Sequence, residues 1–259
     1  MNDSYLSTMV EAARLGGAIV RRYFGQALRI TEKSMASDQQ TQADVESEQA
    51  IIAHLHTAHP EVVIYAEESS PQDSVTDAPT FVIDPLDGTN NFVLGIPYFA
   101  VSIGLMVHQE IIAGVIYHPI LDQTYAAEKD RGATLDGQPL RVSPETDPAR
   151  LTVGWCGTYG GDFGNFLHLF NMTPRPKRRT NAWCPTLDLC LVARGTMEAM
   201  VMDGPDVYDF CAGKLIAREA GAVITDVDGN LETNDTNRFF IAGNTVEVCK
   251  YVSTYIHQT

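Results

Sequence analysis

The sequence predicts a mixed α/β (α+β) fold with two differently built halves: an antiparallel sheet behind leading helices, then an α/β C-terminal half. Three observations predict it. Apolar residues recur at helical spacing near the N-terminus, at Leu6, Met9, Val10, Ala13 and Val20. Short apolar runs at 101–107, 111–117 and 124–127 follow one another across turn-like breaks such as His108-Gln109-Glu110, the pattern of an antiparallel meander. Beyond residue 150, short apolar strands alternate with helical segments.

In chain order, residues 5–24 form an amphipathic helix that stops near Gly25, and residues 43–57 a second one burying Ile51, Ile52 and Leu55. Val62-Val63-Ile64-Tyr65 is a strand that delivers Glu67, and Thr80 to Ile83 is a strand that delivers Asp84. Gly88-Thr89-Asn90 is a candidate helix start, whose free N–H groups could receive a phosphate. After the meander, Ser143-Pro144-Glu145-Thr146-Asp147-Pro148 is polar and proline-bearing. It divides the chain into an N-terminal unit, 1–145, and a C-terminal unit, 146–259. The second unit reads as strand 151–153, helix 187–193, strand 198–202, helix 210–220 and strand 222–225. There is no internal repeat and no low-complexity segment.

Eighteen basic against 33 acidic residues give a net charge of −15, which repels nucleic-acid polymers and anionic membranes. No apolar run reaches membrane-spanning length, and Met1-Asn2-Asp3-Ser4-Tyr5 lacks the basic-then-apolar look of a secretory signal. Five cysteines, an odd number with no C-x-x-C spacing, argue against a disulfide framework or zinc site and for a reducing, cytoplasmic setting. Cys190 and Cys211 are expected to fill core space. Arg175, Lys177, Arg178 and Arg179 make the one basic cluster. It is either a solvated loop or a contact for a second phosphate or partner subunit.

The densest chemistry is Asp84-Pro85-Leu86-Asp87-Gly88-Thr89-Asn90-Asn91-Phe92, directly after Phe81-Val82-Ile83. Asp84 emerges at a strand's end, Pro85 stiffens the turn, and Asp87 returns to the same side. Facing carboxylates repel unless a cation lies between them, and a hard divalent cation takes such oxygen ligands. The absence of His and Cys from the motif favours Mg²⁺ or Mn²⁺ over Zn²⁺. Asp209, in Val207-Tyr208-Asp209-Phe210, would on its own be a plain helix N-cap. Its interest lies in completing a carboxylate set with Glu67, Asp84 and Asp87.

On these residues the chain resembles the inositol monophosphatase family, within the lithium-sensitive, metal-dependent phosphatases. The similarity takes in Lys33-Ser34, Asp38, Asp44, Glu67-Glu68-Ser69, the Asp84–Phe92 run, Leu187-Asp188-Leu189-Cys190, Tyr208-Asp209 with Ala212-Gly213, and Glu219-Ala220-Gly221-Ala222. It implies a layered α/β/α/β/α sugar-phosphatase-like fold, a homodimer and inhibition by lithium. It implies two or three Mg²⁺ ions: one on Glu67, Asp84 and the Leu86 carbonyl, a second on Asp84, Asp87 and Asp209, and a looser third on Glu67 and waters. Thr89, hydrogen-bonded to Asp44, would position and deprotonate the attacking water. Gly88 and Thr89 N–H groups would hold the phosphate. Asp87, Asp209, Trp183 and Cys184 would complete the substrate pocket. The implied reaction is hydrolysis of a small phosphorylated metabolite, such as an inositol phosphate or a similar polyol or sugar phosphate.

Three positions depart from the family pattern. Tyr208 replaces a usual Trp. Trp183-Cys184-Pro185-Thr186 stands where the family has Gly-Ser/Thr-Ala-Ala, so the indole either reshapes the pocket or packs inward without consequence. Met202, with Asp203 beside it, occupies the place of a Glu that binds an inositol hydroxyl in animal relatives, and a thioether is a poor acceptor. Histidinol phosphatase, fructose-1,6-bisphosphatase and 3′-phosphonucleotide phosphatase therefore stay open as alternatives. A catalytically silent metal- or metabolite-binding regulator is the rival from another class.

Overall fold

A computed structural model of the chain describes residues 4–33, 39–70, 77–158 and 171–256. Ser34 and Asp38 lie outside the described residues. The described residues form six α-helices and three sheets. The helices are α1 (Tyr5–Tyr23), α2 (Gln42–Ala58), α3 (Thr89–Val93), α4 (Pro185–Ala193), α5 (Cys211–Glu219) and α6 (Val246–Ile256).

A small antiparallel pair, β1 (Ile30–Glu32) with β2 (Gln39–Thr41), precedes the main sheets. The first main sheet has seven strands, β3 (Val63–Ala66), β4 (Thr80–Asp87), β5 (Ala100–Val107), β6 (Glu110–His118), β7 (Gln123–Glu128), β8 (Ala133–Leu135) and β9 (Gln138–Pro139), in chain order across the sheet. Only β3 and β4 run parallel; every later pair is antiparallel, as the meander pattern predicts. The second sheet comprises β10 (Thr152–Gly157), β11 (Arg178–Thr180), β12 (Ala199–Asp203), β13 (Val223–Asp226) and β14 (Phe239–Gly243), in the order β11-β10-β12-β14-β13.

Side-chain alternation stacks these sheets into five layers. Along β4, Phe81 and Ile83 point to one face and Val82 to the other. The first face packs against Met9, Ala13 and Val20 of α1 and Ile51 and Leu55 of α2. The opposite face packs against α4 and α5 through Leu187, Cys190, Cys211, Ala212 and Leu215. Cys190 and Cys211 are thus core fillers, as their sequence surroundings predict. The other side of α4 and α5, with Leu189, Val192 and Ala217, meets Met200 and Met202 of β12. Ala199 and Val201 of the same strand face outward onto Val248, Val252 and Ile256 of α6. The layering is therefore α/β/α/β/α. Each fully buried Phe, Ile or Leu in these interfaces contributes about 1.5–3 kcal/mol by leaving water. Gly114 lets α5 lie directly on β6: a Cβ there would sit 2.9 Å from the Ala212 backbone.

Three differences from the sequence pattern have physical causes. β4 does not stop at Ile83 but resumes through a bulge, with Asp84 opposite Ser102 and Asp87 opposite Ala100. Pro85 can occupy an inner strand because the ladder is broken there. The α/β alternation read in the second half stops at Thr225 and omits β14, a central strand pairing β12 and β13 antiparallel. Its five residues, Phe-Phe-Ile-Ala-Gly, are too short and uniform to show a period. Arg178 and Arg179 lie in the short edge strand β11 rather than in a loop.

Candidate active site

The site forms where β4 ends against the N-terminal ends of α4 and α5. The bulge turns Asp84 and Asp87 toward the same space, and the Leu86 N–H donates to Asp84 Oδ1 at 3.0 Å, closing the turn. Gly88 follows with φ +87°, the left-handed region, where a side chain would also meet the Tyr98 carbonyl at 3.0 Å. Asp209 arrives on a 3-10 turn, Val207–Asp209, with its Oδ2 accepting the Asp206 N–H at 2.8 Å. One carboxylate oxygen from each of Asp84, Asp87 and Asp209 lies within 4.8 Å of the others.

Three anions so close are unstable alone. Two unit charges at that separation repel by about 3.5 kcal/mol even at an effective dielectric constant near 20. Burial, and then their acidic neighbours, push the Asp84 and Asp209 carboxyls well above the ordinary carboxylate range. Burial also raises Asp87 to about 6, against hydrogen bonds that favour its charged form. The donor set is all oxygen and clustered, with Asp84 and Asp87 buried and Asp209 half-buried, which fits a hard divalent cation.

Asp87 is held by a cradle that sequence reading missed. Its Oδ2 accepts the Thr186 N–H at 2.9 Å, the Thr186 hydroxyl at 2.5 Å and the Cys184 thiol at 3.1 Å. Helix α4, starting at Pro185, therefore fixes the rotation of the carboxyl group. The signal was present as a Thr one residue into a Pro-started helix, but its partner lies 99 residues away.

Glu67 follows β3 and lines the same cavity, yet its carboxylate is not in the three-acid cluster. Lys33 Nζ sits 2.9 Å from Glu67 Oε1 and 2.7 Å from Glu68 Oε2. Burial raises Glu67 to about 8, with the Lys33 charge opposing. Asp44 and Thr89, far apart in sequence, do meet. The Thr89 hydroxyl lies 3.0 Å from Asp44 Oδ1 and 2.9 Å from the Leu86 carbonyl, with one proton to share between them. Asp44 Oδ2 meanwhile accepts the Thr41 N–H at 2.8 Å, closing the capping box of α2. Burial raises Asp44 to about 6.

The remaining predicted pocket residues are placed differently. Trp183 neither packs inward nor narrows the cavity: its side chain is 53% exposed, and it is not among the residues lining the cavity. Pro185 takes that wall. Cys184 is fully buried behind Asp87, so it supports a carboxylate rather than facing a substrate. Met202 is buried in the core between α4 and β14. Tyr208, in place of the family's Trp, lines the cavity and donates its hydroxyl to Asp206 Oδ2 at 3.1 Å. The cavity measures about 480 Å³, the scale of a small metabolite.

The family model for the inositol monophosphatase family matches residues 1–257. The chain belongs to the inositol monophosphatase family. It is 37% identical to an inositol-1-monophosphatase of Mesorhizobium japonicum over 250 residues, 94% of this chain and 93% of that one. It is 36% identical to human inositol monophosphatase 2 over 228 residues, 85% of this chain and 79% of the relative. Among solved structures, the extragenic suppressor protein suhB of Bartonella henselae superposes with a TM-score of 0.89 at 32% identity, covering 99% of both chains. The protein is thus a phosphomonoesterase of this family with an acidic metal-binding cluster at Asp84, Asp87 and Asp209, and its substrate is a phosphorylated metabolite. No helix among the described residues is long and apolar enough to cross a membrane.

Proposed function

We propose that this enzyme is a Mg²⁺-dependent phosphatase that hydrolyses a small polyol or sugar phosphate, of the inositol phosphate kind, by attack of water on phosphorus. The observation that carries the reading is the close trio Asp84, Asp87 and Asp209, two of them buried and none in an ion pair among the described residues, on the wall of a cavity of small-metabolite size. Asp84, Asp87 and Asp209 would hold one ion, and Glu67, Asp84 and the Leu86 carbonyl another, once Lys33 yields the Glu67 carboxylate. Bound ions supply charge neutralisation of the phosphate and acidification of water. The chain's own part is positioning. Thr89, held between Asp44 and the Leu86 carbonyl, orients a water and relays its proton toward Asp44. The Gly88 and Thr89 amides receive phosphate oxygens.

The relatives named for inositol monophosphate support the substrate class, and the all-oxygen donor set supports Mg²⁺. We extend the proposal to a cytoplasmic homodimer with subdomains meeting near residue 145. Five unpaired cysteines support the reducing compartment. The test is phosphate release from inositol 1-phosphate, histidinol phosphate, fructose 1,6-bisphosphate, glycerol 2-phosphate and a 3′-phosphonucleotide, with Mg²⁺ and with chelator. Metal-dependent release led by inositol 1-phosphate is the expected result. A clear preference for one of the others reassigns the substrate, and no release from any of them by folded, Mg²⁺-binding protein overturns the reading.

A further inference from the structure

The outer wall of the cavity carries two charged side chains that the catalytic constellation does not use, Asp206 and Arg238. Arg238 is fixed before any substrate arrives. Its Nε donates to the Pro205 carbonyl at 2.7 Å and its Nη2 to the Gly204 carbonyl at 2.6 Å. Nη2 also lies 2.9 Å from Asp206 Oδ1. Its Nη1, with two N–H groups, has no hydrogen-bond partner among the described residues. Asp206 takes the Tyr208 hydroxyl on Oδ2 and the Asp209 N–H in a capping box, so with Arg238 on Oδ1 its carboxylate keeps one lone pair open. Both side chains stay partly in solvent, 43% exposed for Asp206 and 41% for Arg238. The pair is tied to the metal-binding wall, because the Asp206 N–H is the donor to Asp209 Oδ2.

We propose that Asp206 and Arg238 are the specificity determinants of the site, reading two neighbouring hydroxyls of a polyol leaving group; the inference rests on the phosphatase reading above. A hydroxyl both donates and accepts. Asp206 can accept from one hydroxyl while Arg238 Nη1 donates to the next. The pair is neutral overall, and the Asp206 carboxylate stands against a second anionic group at this wall. An apolar leaving group would strip water from both charges and return no hydrogen bonds, which is costly. The guanidinium is immobilised by three contacts, so little side-chain entropy remains to be lost on binding.

The test is steady-state phosphate release from inositol 1-phosphate and from n-butyl phosphate by wild type, Asp206→Asn and Arg238→Met, with Mg²⁺. Asn keeps the capping role at position 206, and Arg238→Lys serves if the Met variant does not fold. The expected result is a KM for inositol 1-phosphate raised about tenfold in each variant, with kcat changed less, so that preference over butyl phosphate falls by about tenfold. Equal losses on both esters would make the pair a clamp for Asp209 and overturn the proposal. A loss confined to fructose 1,6-bisphosphate, assayed in parallel, would overturn it in favour of a second anion. Should wild type hydrolyse neither ester, the reaction is what fails. The pair is then judged by calorimetric binding of inositol 1-phosphate, where affinity that neither variant weakens overturns it.

Discussion

Helix α5 separates two buried charge clusters built on opposite principles. Before its first turn, Asp209 meets Asp84 and Asp87, and none of the three forms an ion pair among the described residues. One turn later, Lys214 is fully buried, with Nζ 2.6 Å from Glu232 and 3.3–3.4 Å from the carbonyls of Asn234, Asp235 and Asn237. It also lies 4.3 Å from the Phe240 ring centroid. Arg218, on the same helix, pairs with Asp235 through two bonds of 2.6 and 3.1 Å. The second cluster carries its cations on the chain; the first leaves that place for one from solution. Buried charge is structural where the chain neutralises itself and functional where it does not.

The largest effect separating the clusters is on activity. Asp84→Asn should reduce turnover to background while the protein stays folded, and its melting temperature in chelator should rise by a few degrees, since about 1 kcal/mol of relieved repulsion moves a chain of this size about 2–4 °C. Calorimetric melting beside the assay checks both; retained activity would refute the site assignment. Lys214→Met should do the reverse. It strands Glu232 in the core at about 3–5 kcal/mol, lowering the melting temperature by on the order of 10 °C, and Lys214→Met combined with Glu232→Gln should recover much of that.

Smaller effects sharpen the contrast. Titrating Mg²⁺ into chelated protein should stabilise it by about 2.7 kcal/mol at a hundredfold excess over Kd, and Asp84→Asn should show much less of this gain. An equal gain in both proteins would place the ion elsewhere. Thr186→Val removes one donor from the Asp87 cradle but leaves the Thr186 N–H and the Cys184 thiol. Calorimetry should find Mg²⁺ bound about 10–100-fold more weakly, whereas Cys184→Ser, which keeps a donor, should stay close to wild type.

Much of the site was legible because its chemistry is compressed in sequence. Asp84, Pro85, Asp87, Gly88 and Thr89 lie within six residues behind an apolar strand, and their types alone exclude most other uses. Asp209 was legible only through resemblance, since a single acid before a helix is usually a cap. The Asp87 cradle and the Arg238 clamp were not legible. Each joins residues more than 30 positions apart through hydrogen bonds that leave no periodic trace. Trp183 shows the converse: its chemistry suggested a pocket wall, but its backbone, at φ +56°, belongs to a turn whose side chain is 53% exposed.

The sequence by itself determined the meander, the helix and strand types and the compact Asp84–Thr89 motif, because hydrophobic period and local spacing are written along the chain, while the layering, Asp209 and the class of reaction came through the family resemblance. Only the tertiary structure decided the place of β14, the pairing of Lys33 with Glu67, the burial of Cys184 behind Asp87 and the outer wall of Asp206 and Arg238. These depend on which distant segments pack together, and packing is settled by the burial of whole faces rather than by any local run of residues.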